Sequence, residues 1–367
     1  MIKEGKFGVQ EAVCLITVTI TSKVFFSSPA IIAGLIGNAG WYTTLISAAV
    51  ALVGFCFIYL LLKRFPGKDI VEIFDITLGR AVGFIFSGIL GIYMFFISVT
   101  RVNELSEFLK VFVIPLSPNW FIIGIFIACI LTLSLLGLES IARLSKLLIY
   151  ALLAGFLVVL LLGIQNYNIN NLFPIFGYGL DKIAFHGIVR SSVYGEVIIL
   201  AIFAKSFQGV KFIKKEGITG ILLSAAIISV SGLSYSLTFP YYVAQEITAP
   251  MYAMSTLIDY GRFVQRVEPL FLYVWIIGSF ISASLVFYSF IWIFCKTFRI
   301  QDKKPIIIGS CTILYAVALM HKDIISIILG YVVLIRNWGS LPLFGLALIA
   351  LIAALVRKKV GTTKCVR

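Results

Sequence analysis

The sequence predicts an all-α polytopic membrane protein of about ten transmembrane helices. Three observations carry this. The chain of 367 residues is 60% hydrophobic and only 13% charged, with a mean hydropathy of +1.07. A soluble domain of that length has too little polar surface to cover so much apolar area. Apolar runs recur without a charged side chain, at the roughly 20 residues a helix needs to cross a bilayer. Lysine and arginine collect in alternate connections between those runs.

The charge-free runs cover 24–62, 81–100, 111–138, 147–180, 217–245, 269–295, 305–320 and 337–356. Turn signals divide the longer ones, GNAG at 37–40 and PLSPN at 115–119 among them. The expected spans are 7–35, 41–62, 80–113, 119–137, 143–164, 186–208, 216–242, 266–298, 305–321 and 336–356. Residues 324–335 extend the ninth or form a separate interfacial helix. The chain reads as one transmembrane domain, with one half at 7–164, a second at 186–356 and a basic tail at 357–367.

Orientation follows from the basic residues. One side of the ladder carries Lys3, Lys6, Lys63, Arg64, Lys68 and Arg80, then the clusters at 143–146, 205–215 and 296–304, then the tail RKKVGTTKCVR. The other side holds Lys182, Arg262, Arg266, Lys322 and Arg336. Both termini are therefore expected in the cytoplasm, which requires an even number of spans. The net charge of +14 is accounted for by topology and anionic lipid, so no nucleic-acid partner is expected.

Several classes drop out. The start, MIKEGKFGVQEAV, lacks the small-residue cleavage site of a signal peptide, so the first span is expected to direct insertion. The six cysteines are scattered and form no CxxC, and His186 and His321 lack metal-ligand spacing. There is no phosphate-binding glycine loop and no nucleophile beside a base. Neither a metal, a cofactor nor an enzymatic activity is expected.

What remains is a protein that binds or moves something near the membrane midplane. Span 1 carries TVTITSKVFFSSPA, Thr17 to Ala30, with a lysine and six hydroxyl residues inside an apolar stretch. Span 6 carries RSSVYGEVIIL, Arg190 to Leu200, with Glu196 in apolar surroundings. These spans hold corresponding positions in two five-helix halves, the arrangement expected of an inverted repeat with helices 1 and 6 broken. A break frees backbone groups that hydrocarbon cannot satisfy, so it must line a cavity. Pro29 is expected to restart or bend the second part of span 1.

The stretch RFVQRVEPLFLYVWIIGSFI, Arg262 to Ile281, resembles the signature of the spore germination permease family, the B subunits of germinant receptors. That family lies within the amino acid–polyamine–organocation superfamily. FPGKDIVEIFDITLGRAVG (Phe65 to Gly83), RVNELSEFLKVFVIPLSP (Arg101 to Pro118), GLESIARLS (Gly137 to Ser145), NLFPIFGYGL (Asn171 to Leu180) and YGEVIILAIF (Tyr194 to Phe203) are similar to family segments in the same order. The resemblance implies a LeuT-like 5+5 inverted-repeat fold and a small germinant, commonly an amino acid, at the broken helices. It also implies an A-type membrane subunit and a C-type lipoprotein as partners in the bacterial spore inner membrane. Where the family usually has glycines and apolar residues at the span 1 break, this chain has Thr21, Ser22 and Lys23. A working amino-acid permease, proton-coupled or exchanging, is the alternative function.

The expected ligand-binding residues are Thr21, Ser22, Lys23 and Val24 at the first break, Tyr194, Gly195 and Glu196 at the second, and Tyr93, Trp275 and Ser279 as walls, with Tyr288 a further candidate. An unpaired lysine at midplane is costly. Lys23 is expected to bridge carbonyls freed near Thr21 and the hydroxyls of Ser279, Ser282 and Ser284, as a built-in cation, or to meet a ligand carboxylate. Glu196 holds a ligand ammonium, carries a proton, or pairs with Lys23 or Arg190. Tyr194 and Gly195 form an unwound floor. Arg101 and Glu104, with Glu107, share one face of span 3, where they gate access, meet a partner or form a solvated interfacial face. Arg266 and Glu268 open span 8 as an interfacial ion pair. Residues 246–265 form an amphipathic, lid-like segment.

Overall fold

The computed structural model describes residues 8–25, 28–261, 267–320 and 332–360. It is almost entirely helical. Span 1 comes in pieces: an α-helix Val9–Thr21, a 3₁₀ turn Ser22–Phe25 and an α-helix Ser28–Ile36. Pro29 sits in the first turn of that last helix, where a missing N–H costs nothing. Span 2 is Gly40–Arg64, span 3 Arg80–Phe112, span 4 Asn119–Leu136 and span 5 Leu138–Leu162. Span 6 joins an α-helix Leu180–Val189 to a 3₁₀ run Arg190–Ile198 and a last α-turn Ile199–Ile202. Span 7 is Val210–Thr238, span 8 Glu268–Thr297 and span 9 Lys304–Leu319. Span 10 runs from Val333 to Val356 with a π-helical turn at Leu341–Gly345.

Among the described residues, eight helical stretches are long and apolar enough to cross a bilayer; the first, Ser28–Arg64, joins the second part of span 1 to span 2. Val9–Thr21 and Lys304–Leu319 are shorter apolar helices. Spans 5 and 7 start several residues earlier than hydropathy places them. Their opening turns carry Glu139 and Arg143, and Lys211, Lys214 and Lys215, so the helix extends beyond the apolar part. The question of an extended ninth span falls mostly on residues 321–331, outside the described ones.

Spans 3 and 8 pack along one another, as do spans 2 and 7, while span 1 lies against spans 5, 7 and 8. Span 2 is held by close approaches on both sides. A Cβ on Gly54 would meet the Phe344 ring, and one on Gly217 of span 7 would meet the Phe55 ring. At the end away from the termini, the connection between spans 5 and 6 closes over span 1. Asn38 donates to the Phe173 carbonyl (2.7 Å) and Tyr42 to that of Ile175 (2.9 Å). The Tyr178 N–H donates to the Ile36 carbonyl (3.3 Å). The connection between spans 7 and 8 contributes a short helix, Pro250–Thr256, with Met251 and Met254 buried. The lid-like reading of 246–265 thus covers this helix, and 262–266 fall outside the described residues.

At the opposite end, Asp69 caps the connecting helix Ile70–Leu78 by accepting the Glu72 N–H (3.0 Å). Lys296 meets Asp69 (3.2 Å) and Glu72 (3.3 Å), and Lys205 pairs with Glu72. One acidic loop thus ties the end of span 6 to the end of span 8. Burial raises the Asp69 carboxyl above its usual range. For Glu72 burial acts the same way, but the hydrogen bond and charge of Lys205, with Lys296 behind them, outweigh it and lower the pKa. A lowered carboxylate stabilises the fold above its unfolded pKa, and that contribution is lost as pH falls through the folded value. Glu72→Gln is expected to flatten the loss of melting temperature below about pH 4.5. A pH 3–7 melting series checks this, and an unaltered acid slope would remove Glu72 from the account.

Candidate functional site

Three hydroxyls of span 1 are used within their own helix. Thr19 donates to the Leu15 carbonyl (2.6 Å), Thr21 to that of Thr17 (2.7 Å) and Ser22 to that of Thr19 (3.0 Å). Such back-bonding bends a helix and satisfies side chains in an apolar setting. The chain then tightens into the 3₁₀ turn, which carries the Lys23 side chain inward, only 7% exposed. Val24 occupies the same turn, and its side chain lies outside the described residues.

Lys23 does not reach span 8, so the expected bridge to Ser279, Ser282 and Ser284 is absent. Its ammonium pairs with Glu196 and donates to the Val193 carbonyl (2.5 Å), both on span 6. A buried cation is stabilised far more by a carboxylate than by hydroxyls. Ser282 instead donates to the Thr19 carbonyl (3.2 Å) and Ser284 to that of Phe280 (2.9 Å). Ser279 is buried on span 8.

The other Glu196 oxygen accepts from Arg101 (3.3 Å). One acid therefore stands between two cations from spans 1 and 3. The solvated reading of the span 3 face is corrected: Arg101, Glu104 and Glu107 are all buried. Span 3 runs on past Glu107 to Phe112, so these residues lie inside the bundle rather than at its rim.

Lys23, Arg101, Glu104 and Glu196, but not Glu107, line a cavity of about 30 Å³ between spans 1, 3, 6 and 10. Its charged lining is Lys23, Arg101, Arg336, Glu104 and Glu196, one more cation than acids. Tyr93 also lines it and donates to the Ile335 carbonyl (3.1 Å). Ser192 donates to the Arg336 carbonyl (2.5 Å), and Ser191 and Ser340 are 2.9 Å apart. These bonds join the span 6 break to span 10. The expected unwound floor is instead the 3₁₀ run Arg190–Ile198, whose tighter turn keeps backbone groups bonded in an apolar setting. Gly195 accommodates Leu343 of the π-helical turn, since a Cβ there would strike that side chain. Tyr194 is buried and donates to the Thr44 carbonyl (3.2 Å).

Three expected walls lie elsewhere. Trp275 packs edge-on to Phe108 (4.2 Å between centroids), in a cluster with Met251 and Met254. Ser279 does not line the cavity, and Tyr288 accepts from Lys303 (2.7 Å) near the terminal end of span 8. Glu268 is buried at the start of span 8, while Arg266 lies outside the described residues. Arg336 escaped the sequence reading, which counted it as a loop charge. The signal was the RNWGSLP stretch, a polar patch and a proline where span 10 should start cleanly.

The sequence profile described as "Spore germination protein" matches residues 7–327. The chain belongs to the spore germination permease family. Spore germination protein A2 of Bacillus subtilis is 24% identical over 286 residues, 75% of this chain and 76% of the relative. Spore germination protein KB of the same organism is 22% identical over 258 residues, 69% of each chain. Among solved structures, Mhp1, a nucleobase-cation-symport-1 family transporter, superposes with a TM-score of 0.70 over 97% of this chain and 80% of its own, at 13% identity. A Na⁺-coupled sialic acid symporter gives 0.66 over 95% and 79%, at 14% identity. This member of the germination permease family thus has the LeuT-type transporter fold and is a multi-pass membrane protein.

Proposed function

We propose that the chain is the membrane-embedded B subunit of a germinant receptor. It binds a small carboxylate-bearing nutrient, an amino acid in the first instance, beside Lys23, Arg101 and Glu196. The observation that carries this is the single acid held between two cations at the meeting of the two broken spans. A cavity with one excess cation favours a ligand that brings a carboxylate, and Glu196 offers an acceptor for its ammonium. In this reading both termini are cytoplasmic, and occupancy is passed to an A-type membrane subunit and a C-type lipoprotein in the spore inner membrane. The cavity is little larger than one or two waters, so binding requires the spans to part. Separation of this kind is the means by which occupancy changes the subunit's shape.

A working amino-acid permease is the second reading, favoured by a fold shared with symporters. Radiolabelled alanine binding and uptake by the purified chain in liposomes separates the two. Saturable binding without accumulation is expected; accumulation assigns a permease. Lys23→Met is expected to weaken binding at least about tenfold, or about 1.4 kcal/mol, while inserting normally. Equal binding by wild type and variant would displace the site.

A further inference from the structure

A second cavity lies between spans 1, 2, 6 and 7, holding about 50 Å³. Lys23 and Val193 line both this cavity and the central one, so the bond from Lys23 to the Val193 carbonyl forms the wall between them. The lateral cavity is mostly apolar, walled by Ile32, Trp41, Tyr194 and Ile228. Among its lining residues there is no aspartate or glutamate.

Arg190 lines it and is only 3% exposed. Its Nε, Nη1 and Nη2 have no hydrogen-bond acceptor among the described residues. Lys23 and Arg101 are served differently, since both pair with Glu196. The charged neighbour acting on Arg190 is Arg336, a second cation. A guanidinium without a counter-charge is costly in an apolar interior. Two further polar atoms of this lining, Ser28 Oγ and His186 Nδ1, are also buried without a partner. By contrast Thr43, Thr44 and Ser47 give their hydroxyl protons to backbone carbonyls. An unneutralised cation and unpartnered polar atoms thus face one cavity that supplies no carboxylate of its own.

We propose that the lateral cavity is a binding site for a small monovalent anion seated on the Arg190 guanidinium, separate from the central site. The shared chemistry is one negative charge on a compact group, supplied either by an inorganic halide or by a small carboxylate. The volume exceeds the roughly 10–15 Å³ that a single water requires and excludes bulky anions. An anion there would lie between the second part of span 1 and spans 2, 6 and 7, so it would hold those four elements together.

The test uses the full purified chain in detergent, without amino acid, at constant ionic strength. Gluconate, whose polyhydroxy chain exceeds the cavity, is replaced stepwise by chloride or, in a parallel arm, by acetate. Melting temperature and the emission of Trp41, isolated by subtracting a Trp41→Phe background, are followed. A saturable rise in melting temperature with chloride, acetate or both is expected in wild type, and none in Arg190→Gln. A response to chloride alone identifies a halide site, and one to acetate alone a carboxylate site. Response to both assigns recognition by charge. Arg190→Lys keeps the charge but loses the planar fork, so its half-saturation is expected roughly tenfold higher. No saturable response in wild type, or the same response in Arg190→Gln, overturns the proposal. If Arg190→Gln does not purify, an unshifted half-saturation in Arg190→Lys overturns it.

Discussion

Glu196→Gln is expected to abolish ligand binding and to destabilise the bundle by about 3–5 kcal/mol, the usual result of removing one partner from a buried ion pair. The side chain is 2% exposed and its two oxygens serve Lys23 and Arg101 separately. The glutamine leaves two cations facing each other in a region that already contains Arg336. The effect is therefore larger than the loss of one hydrogen bond. Lys23→Met/Glu196→Gln removes a cation together with the acid, so it should melt higher than Glu196→Gln alone. A double-mutant cycle by thermal melting in detergent, run beside alanine binding, measures that recovery. Strictly additive losses would show that the two residues are not coupled.

Gly177→Ala is the second large effect, at about 1–3 kcal/mol. Gly177 has φ +48° and a Cβ there would run into the Ile36 carbonyl oxygen. That atom is backbone and also accepts the Tyr178 N–H, so no side-chain rotation can relieve the conflict. The loop over span 1 must lift or the end of span 1 must move. Gly67→Ala provides the comparison: its φ is +74° with nothing within 4 Å of the new Cβ. It should show only the conformational strain, about 1–2 kcal/mol. Melting temperatures of the two variants separate contact from strain, and equal losses would remove the contact from the explanation.

The fold was legible because bilayer spans are written in composition: charge-free runs and alternating basic loops locate helices without any knowledge of their neighbours. The breaks were legible for a related reason, since Lys23 and Glu196 are conspicuous in hydrocarbon. Their mutual pairing was among the readings open from sequence. What hydropathy lacks is rotation about the helix axis. It could not tell that Thr21 and Ser22 spend their hydroxyls on the turn before them, or that Trp275 faces a cluster with Phe108 and the methionines of helix Pro250–Thr256. Depth was the other blind spot. Arg101, Glu104 and Arg336 looked like rim charges because a charge near a span end usually snorkels, whereas here the spans continue and bury them.

The wall made by Lys23 and Val193 has one more consequence. A side chain shared by two compartments makes their occupancies a single equilibrium. A ligand that draws the ammonium away from the Val193 carbonyl changes the shape and the field of the neighbouring compartment in the same movement. By reciprocity, whatever factor an ion in the lateral compartment applies to affinity in the central one is returned unchanged in the other direction. Nutrient sensitivity would then be set in part by the salt around the cell, with one lysine as the exchange point between the two signals.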